Sequence, residues 1–103
     1  MIMRGATGSN SRILNGTYVP TAERLNGKPV YAKEGDMERW LIFGPDKFWM
    51  ASHTVNKAEN GTDCVAYTEL GLAHPGAARS WEVWRGDKWE PQQIELSFMV
   101  RRS

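Results

Sequence analysis

WLIFGPDKFW (residues 40–49) and WEVWRGDKWE (residues 81–90) hold all five tryptophans of the 103-residue chain. In each segment, aromatic and aliphatic side chains flank a short turn, Gly44-Pro45-Asp46 in the first and Arg85-Gly86-Asp87 in the second. Gly, Pro and Asp favour turns, while aromatic and β-branched residues favour strands. The two segments therefore predict two β-hairpins that hold most of the large side chains.

The rest of the chain also has strand character. Asn26-Gly27 lies between two extended segments and predicts a tight hairpin, because both turn positions need positive φ. Residues 93–100 alternate, with Ile94, Leu96, Phe98 and Val100 on one side, as expected for a half-buried strand. Only residues 21–25 and 55–60 have room for a helical turn. The chain is predicted to be all-β, a small antiparallel meander closed into a barrel or a compact sandwich.

One domain is expected from the length and composition. Residues 1–11 are polar, rich in small residues and without periodicity, and we expect a flexible N-terminal tail there. Residues 12–101 then form a single β domain. The sequence also suggests an internal two-fold repeat, because NGTYV (15–19) resembles NGTDCV (60–65) and each precedes a tryptophan hairpin.

Alternation along the two hairpins divides their side chains between two faces. With three-residue loops, one face collects a core set: Trp40, Ile42, Phe48, Met50, Trp81, Val83 and Trp89. The opposite face of the second hairpin carries Trp84 among Glu82, Lys88 and Glu90, which is typical of a solvated surface.

The opposite face of the first hairpin is apolar. It carries Leu41, Phe43 and Trp49, which the predicted core leaves uncovered. Exposed apolar patches mark binding sites, so these three residues with Trp84 are the predicted partner-binding surface. The alternative is that the loop 70–79 or the C-terminal segment covers them.

No catalytic, metal or cofactor site is predicted. Cys64 lies in a predicted strand, where a lone cysteine acts as a small core hydrophobe. The spacing of His53, Asp63, Cys64 and His74 matches no zinc pattern, and the glycines form no phosphate-binding loop. Arg85-Gly86-Asp87 is interpreted as turn chemistry, since Gly-Pro-Asp takes the same place in the first hairpin.

The predicted function is that of a non-catalytic protein-interaction or scaffold module. A net charge of +1 provides no overall field for nucleic acid or an anionic membrane. The alternative is binding of single-stranded nucleic acid or carbohydrate through exposed tryptophans. One cysteine and the lack of an apolar leader in residues 1–12 predict an intracellular, cytoplasmic location without membrane association.

The order of these motifs resembles a class of short β-rich modules. The residues that carry the likeness are NGTY (15–18), NGKPVY (26–31), WLIF (40–43), FWMAS (48–52) and SWEVW (80–84). Such modules are scattered through uncharacterised proteins of unicellular eukaryotes, the kinetoplastid type included. The resemblance implies a β fold and favours an interaction role, and it transfers no catalytic residue.

Overall fold

A computed structural model describes residues 1–97 of the chain. Within that range nine antiparallel strands form one sheet that curls into a half-barrel, in the spatial order β8-β7-β6-β5-β4-β3-β2-β1-β9. The strands are β1 (Ile2–Arg4), β2 (Gly16–Leu25), β3 (Lys28–Lys33), β4 (Arg39–Phe43), β5 (Phe48–His53), β6 (Ala66–Leu70), β7 (Trp81–Trp84), β8 (Trp89–Gln92) and β9 (Glu95–Ser97). Two short helices, α1 (Ser11–Leu14) and α2 (Thr54–Glu59), and a 3₁₀ turn (Pro75–Ala77) lie between them.

The all-β prediction is confirmed, whereas a closed barrel and an internal repeat are not. β8 and β9 are the two edges of the sheet, with no strand ladder between them among the described residues. Trp40 and Trp81, which the repeat would align, lie in different environments. Trp81 is fully buried in the main core, and Trp40 packs at the margin of a smaller cluster on the other face.

The structure confirms some of the turns and helical turns predicted from local sequence and contradicts others. Asn26 and Gly27 have φ of 52° and 83°, and Leu25 pairs directly with Lys28, which confirms the two-residue hairpin turn. The helical turn expected at 55–60 is α2, but residues 21–25 belong to β2. Of the strand expected at 93–100, β9 covers Glu95–Ser97. Positions 98–101, including Phe98 and Val100, lie outside the described residues.

The N-terminal segment is part of the fold, and the expectation of a flexible tail at 1–11 was wrong. β1 pairs with β2 on one side and with β9 on the other. Met3 is 1% exposed and Leu14, in α1, is fully buried. Alternation of Met1 and Met3 towards the core and Ile2 and Arg4 away from it is the pattern of a half-buried strand.

The same segment also bridges the open side of the half-barrel. The Gln92 side chain, on edge strand β8, accepts a hydrogen bond from the Thr7 backbone N–H at 2.9 Å and donates one to the Thr7 carbonyl at 3.1 Å. Further along, Asn10 Nδ2 donates to the Trp84 carbonyl at 2.6 Å. Side-chain contacts with this crossing loop therefore partly replace the ladder that a closed barrel would have.

The main core fills the concave side of the sheet. Its members come from strands as distant in the sheet as β1 and β7, which only the inside of the curl brings together. They include Met3, Leu14, Tyr18, Leu41, Trp49, Trp81 and Val83. A smaller cluster around Val30, Ile42 and Met50 lies on the convex side. Both faces of the central strands are thus partly covered.

Candidate functional site

The predicted surface of Leu41, Phe43 and Trp49 is core, and its expected exposure was wrong. The three residues are 0%, 8% and 0% exposed. The loop after β6 supplies part of the cover, as the alternative proposed, because Leu72 packs on this cluster and its carbonyl accepts a hydrogen bond from Trp49 Nε1 at 2.9 Å. The same core cluster includes Met1 and Met3 of the N-terminal segment and Ile94 of the C-terminal segment.

The register of the first hairpin differs from the expected one, but it does not account for the burial of Leu41, Phe43 and Trp49. Phe43 pairs with Trp49, so the loop is two residues longer than the three-residue loop expected, and Lys47 takes the left-handed conformation in it. A shift of two residues leaves every side chain on its expected face. The two faces were therefore sorted correctly, but the face judged to be uncovered is the one that packs inside the curl.

The second hairpin differs by a single residue, with a larger consequence. Trp84 pairs with Trp89, which makes a four-residue loop. A slip of one residue moves the whole strand β8 to the opposite face. Trp89, predicted as core, is accordingly 39% exposed, while Gln92 is buried.

The slip in the second hairpin completes an aromatic strip across the convex face, which consists of Phe48, Tyr67, Trp89 and Trp84. Ring centroids lie 5.3 Å apart for Phe48 and Tyr67, 4.9 Å for Tyr67 and Trp89, and 5.4 Å for Trp89 and Trp84. The rings meet edge-on or tilted, which is the favourable arrangement for aromatic pairs. The strip runs over β5, β6, β8 and β7, and Trp84 is the one predicted binding residue that belongs to it.

Three shallow depressions follow the aromatic strip. The first, of about 200 Å³, lies among Phe48, Tyr67 and Trp89 and has Met50 and Cys64 in its lining. The second, of about 230 Å³, shares Phe48 and Tyr67. The third, of about 330 Å³, shares Cys64 and Trp89 with the first and adds Trp84. Adjoining depressions with aromatic walls make this face the candidate binding surface of the described residues.

The charges that line these depressions are all negative among the described residues: Asp46 in the first, Glu69 and Glu82 in the second, and Asp63 in the third. Asp63 accepts a hydrogen bond from His53, whereas Asp46 and Glu82 have no ion-pair partner in the described part of the chain. Arg85, near the Trp84 end, is bound to Glu90 at 2.7 Å.

His53 and His74 have structural roles in this arrangement. His53 Nδ1 accepts the backbone N–H of Asn56 and so caps α2, which leaves the proton on Nε2 to be donated to Asp63 at 3.0 Å. His74 lies in the loop over the concave core, with Nε2 at 3.4 Å from the Tyr31 hydroxyl. Within residues 1–97, no three His, Cys, Asp or Glu side chains converge in a way that could hold a metal ion.

Cys64 has an environment that suppresses thiolate formation. Burial, with a further contribution from the Asp63 carboxylate, raises its pKa from 9.0 to about 11. The thiolate is the nucleophile of cysteine, so a thiol of this pKa is inert at neutral pH. Cys64 therefore lines the first depression with its thiol in the protonated form at neutral pH.

Alkylation of Cys64 by iodoacetamide is expected to be slow in the folded protein. At pH 8, raising the pKa from 9.0 to about 11 lowers the thiolate fraction about 100-fold relative to the unfolded chain. The rate should keep rising with pH until about 11, the folded-state pKa. Mass spectrometry of the native and the urea-unfolded protein measures both rates. A native rate that levels off near pH 9 would show that the thiol is not shielded.

Phe48, Tyr67 and Trp89 are partly exposed residues that the sequence pattern did not identify. Phe48 and Trp89 were assigned to the core, and Tyr67 was not singled out. The available signal was Glu82, which shares a face with Trp84 and indicates that this face of the second hairpin is solvated. Glu90 pairs with Val83 and lies on the other face. Only the four-residue loop, however, places Trp89 on that face beside Trp84.

Comparisons with known proteins add no relative: no family model, curated protein or solved structure matches the chain. The described residues contain no helix of the length and apolarity needed to cross a membrane.

Proposed function

We propose that this chain is a non-catalytic protein-interaction module that binds an extended polypeptide segment along the convex aromatic strip. The observation that carries the proposal is the partly exposed row of four aromatic rings with depressions between them. Neighbouring strands lie about 4.8 Å apart, so a strip over four strands measures about 14 Å, the length of about four extended residues. The likeness to protist β modules and the expected cytoplasmic location agree with such a role and belong to the same proposal.

The charge of the surface favours polypeptide over nucleic acid. Binders of single strands combine aromatic rings with a basic groove that follows the phosphates. Here the carboxylates of Asp46, Glu69 and Glu82 line the depressions, and the Lys88 side chain lines none of them. Phosphates along this strip would meet repulsion, whereas a basic peptide would be attracted.

Selection from a random heptapeptide display library against the immobilised protein tests this function. Selected peptides are expected to lose affinity about 30-fold on Trp89→Ala, because central aromatic residues contribute about 2 kcal/mol or more to interfaces. Trp84→Ala should weaken the same peptides. Fluorescence anisotropy with labelled peptides gives the affinities, and circular dichroism verifies that each variant is folded.

Met37→Ala is the matched control, since Met37 is a large apolar residue, 88% exposed, that lines none of the three depressions. Its peptide affinities should equal those of the unmodified protein. Peptides that bind the Trp84 and Trp89 variants undiminished would contradict the proposal. Selective binding of an oligonucleotide or a glycan through Trp89, with no peptide selected, would establish the alternative function.

A further inference from the structure

We propose that the first depression, among Phe48, Tyr67 and Trp89, is a pocket for a lysine or arginine side chain of the bound segment. The inference rests on the proposed function and specifies the chemistry of the partner: an extended segment with a basic residue that occupies this pocket. It concerns the first of the three depressions, where three aromatic side chains and the unpaired Asp46 carboxylate meet.

The walls of this pocket suit a cation on an apolar stem. Phe48, Tyr67 and Trp89 lie around a space of about 200 Å³, and Met50 and Cys64 also line it. Aromatic faces attract ammonium and guanidinium groups, tryptophan most strongly. The (CH₂)₃ or (CH₂)₄ stem of such a side chain gains from apolar contact while its charged end stays near water.

Asp46 supplies the counter-charge. It lies in the turn between β4 and β5, its residue is exposed, and it lines this pocket. Among the described residues no Lys, Arg or His forms an ion pair with it. Lys47, the next residue, has left-handed backbone geometry and is not part of the lining.

An apolar side chain would fit the same pocket less well. It would displace water from the Asp46 carboxylate without replacing the lost hydrogen bonds, and uncompensated desolvation of a charge is unfavourable. Glu69 and Glu82 line the adjoining depression, so the field along the strip has the same sign. A basic residue meets both requirements, the aromatic walls and the negative rim.

Small model cations test the pocket directly on the whole chain. n-Butylammonium and n-butylguanidinium chloride are titrated against uncharged n-butanol, and the Trp89 indole N–H resonance is followed by NMR. The cations are expected to bind about 5-fold more tightly than butanol, from an exposed cation–π contact and the Asp46 carboxylate together. Raised salt should weaken the binding of the cations and leave the affinity for butanol unchanged.

Asp46→Asn and Asp87→Asn form a matched pair of variants, because both residues are exposed and lie in the turns of the two hairpins, but only Asp46 lines the pocket. Asp46→Asn should lower the affinity for the cations about 3-fold, as expected for an exposed ion pair, and should not change the affinity for butanol. Asp87→Asn should change neither.

Equal affinity for butanol and the cations, or equal effects of the two Asp variants, would overturn the cationic pocket. The peptide selection separates this outcome from failure of the proposed function. If the selected peptides lack a basic residue but still depend on Trp89, the proposed interaction surface is supported and the cationic pocket is contradicted. Cation binding together with peptides indifferent to Trp89 would remove the interaction surface instead.

Discussion

Replacing Trp49 by alanine is expected to lower the free energy of unfolding by about 3–5 kcal/mol, the range for large aromatic residues removed from a core. Trp49 is fully buried on the concave side, and its ring lies 5.3 Å from that of Phe43 and 6.1 Å from that of Tyr31. Alanine would leave a cavity at the centre of the curl and an unpaired Leu72 carbonyl. Urea denaturation followed by circular dichroism measures the loss.

Trp89→Ala is the matched control, because it removes the same side chain from the convex face. Trp89 is 39% exposed and its ring contacts those of Tyr67 and Trp84. The variant is expected to lower the free energy of unfolding by about 1–2 kcal/mol, because apolar burial and aromatic pairing are lost. Comparable losses for the two variants would show that the faces are assigned incorrectly. The small cost also keeps Trp89→Ala folded for the binding experiments.

Alternation predicted the division of the first hairpin into two faces but could not tell which face is the main core. Leu41, Phe43 and Trp49 share one face, and Trp40, Ile42 and Met50 the other, in the sequence and in the structure alike. Both sets are apolar because the central strands are covered on both sides. What determines the concave side is the direction of curl, which depends on contacts with residues far away in the chain.

Loop length limited the prediction for the second hairpin. Arg85-Gly86-Asp87 is compatible with a three-residue loop, but the pairing of Trp84 with Trp89 adds Lys88 to the turn. A positive φ of 99° at Gly86 gives the turn its left-handed residue. No residue in the segment distinguishes the two lengths. The candidate site depends on that distinction, because one residue decides whether Trp89 lies inside or on the surface.

For the Asn26-Gly27 turn, by contrast, the local sequence was sufficient to predict both the position and the length of the turn. Two consecutive left-handed residues are required there, and Asn followed by Gly is the combination that accepts this geometry most readily. The requirement is local and independent of the rest of the fold. This turn could therefore be predicted from local backbone chemistry alone, whereas the cover over Leu41, Phe43 and Trp49 could not.

Removal of residues 1–10 is expected to abolish cooperative folding. The deletion takes away β1, which lies between β2 and β9 in the sheet, and the contacts of Thr7 and Asn10 that bridge the open side. It also uncovers apolar surface around Tyr18, whose N–H and carbonyl both bond to Met1. The NMR amide spectrum should lose its dispersion, and urea unfolding should lose its sigmoidal transition.

Point variants keep this prediction testable if the shortened chain cannot be purified. Met3→Ala is expected to lower the free energy of unfolding by about 2–5 kcal/mol, because Met3 is 1% exposed in the concave core. Arg4→Ala, at the exposed neighbour on the same strand, should stay within about 0.5 kcal/mol of the unmodified protein. Since adjacent residues of a strand point to opposite faces, a large difference between the two variants requires β1 to be a strand of the sheet. Equal, small effects would mean that the segment is the loose tail that its composition suggests.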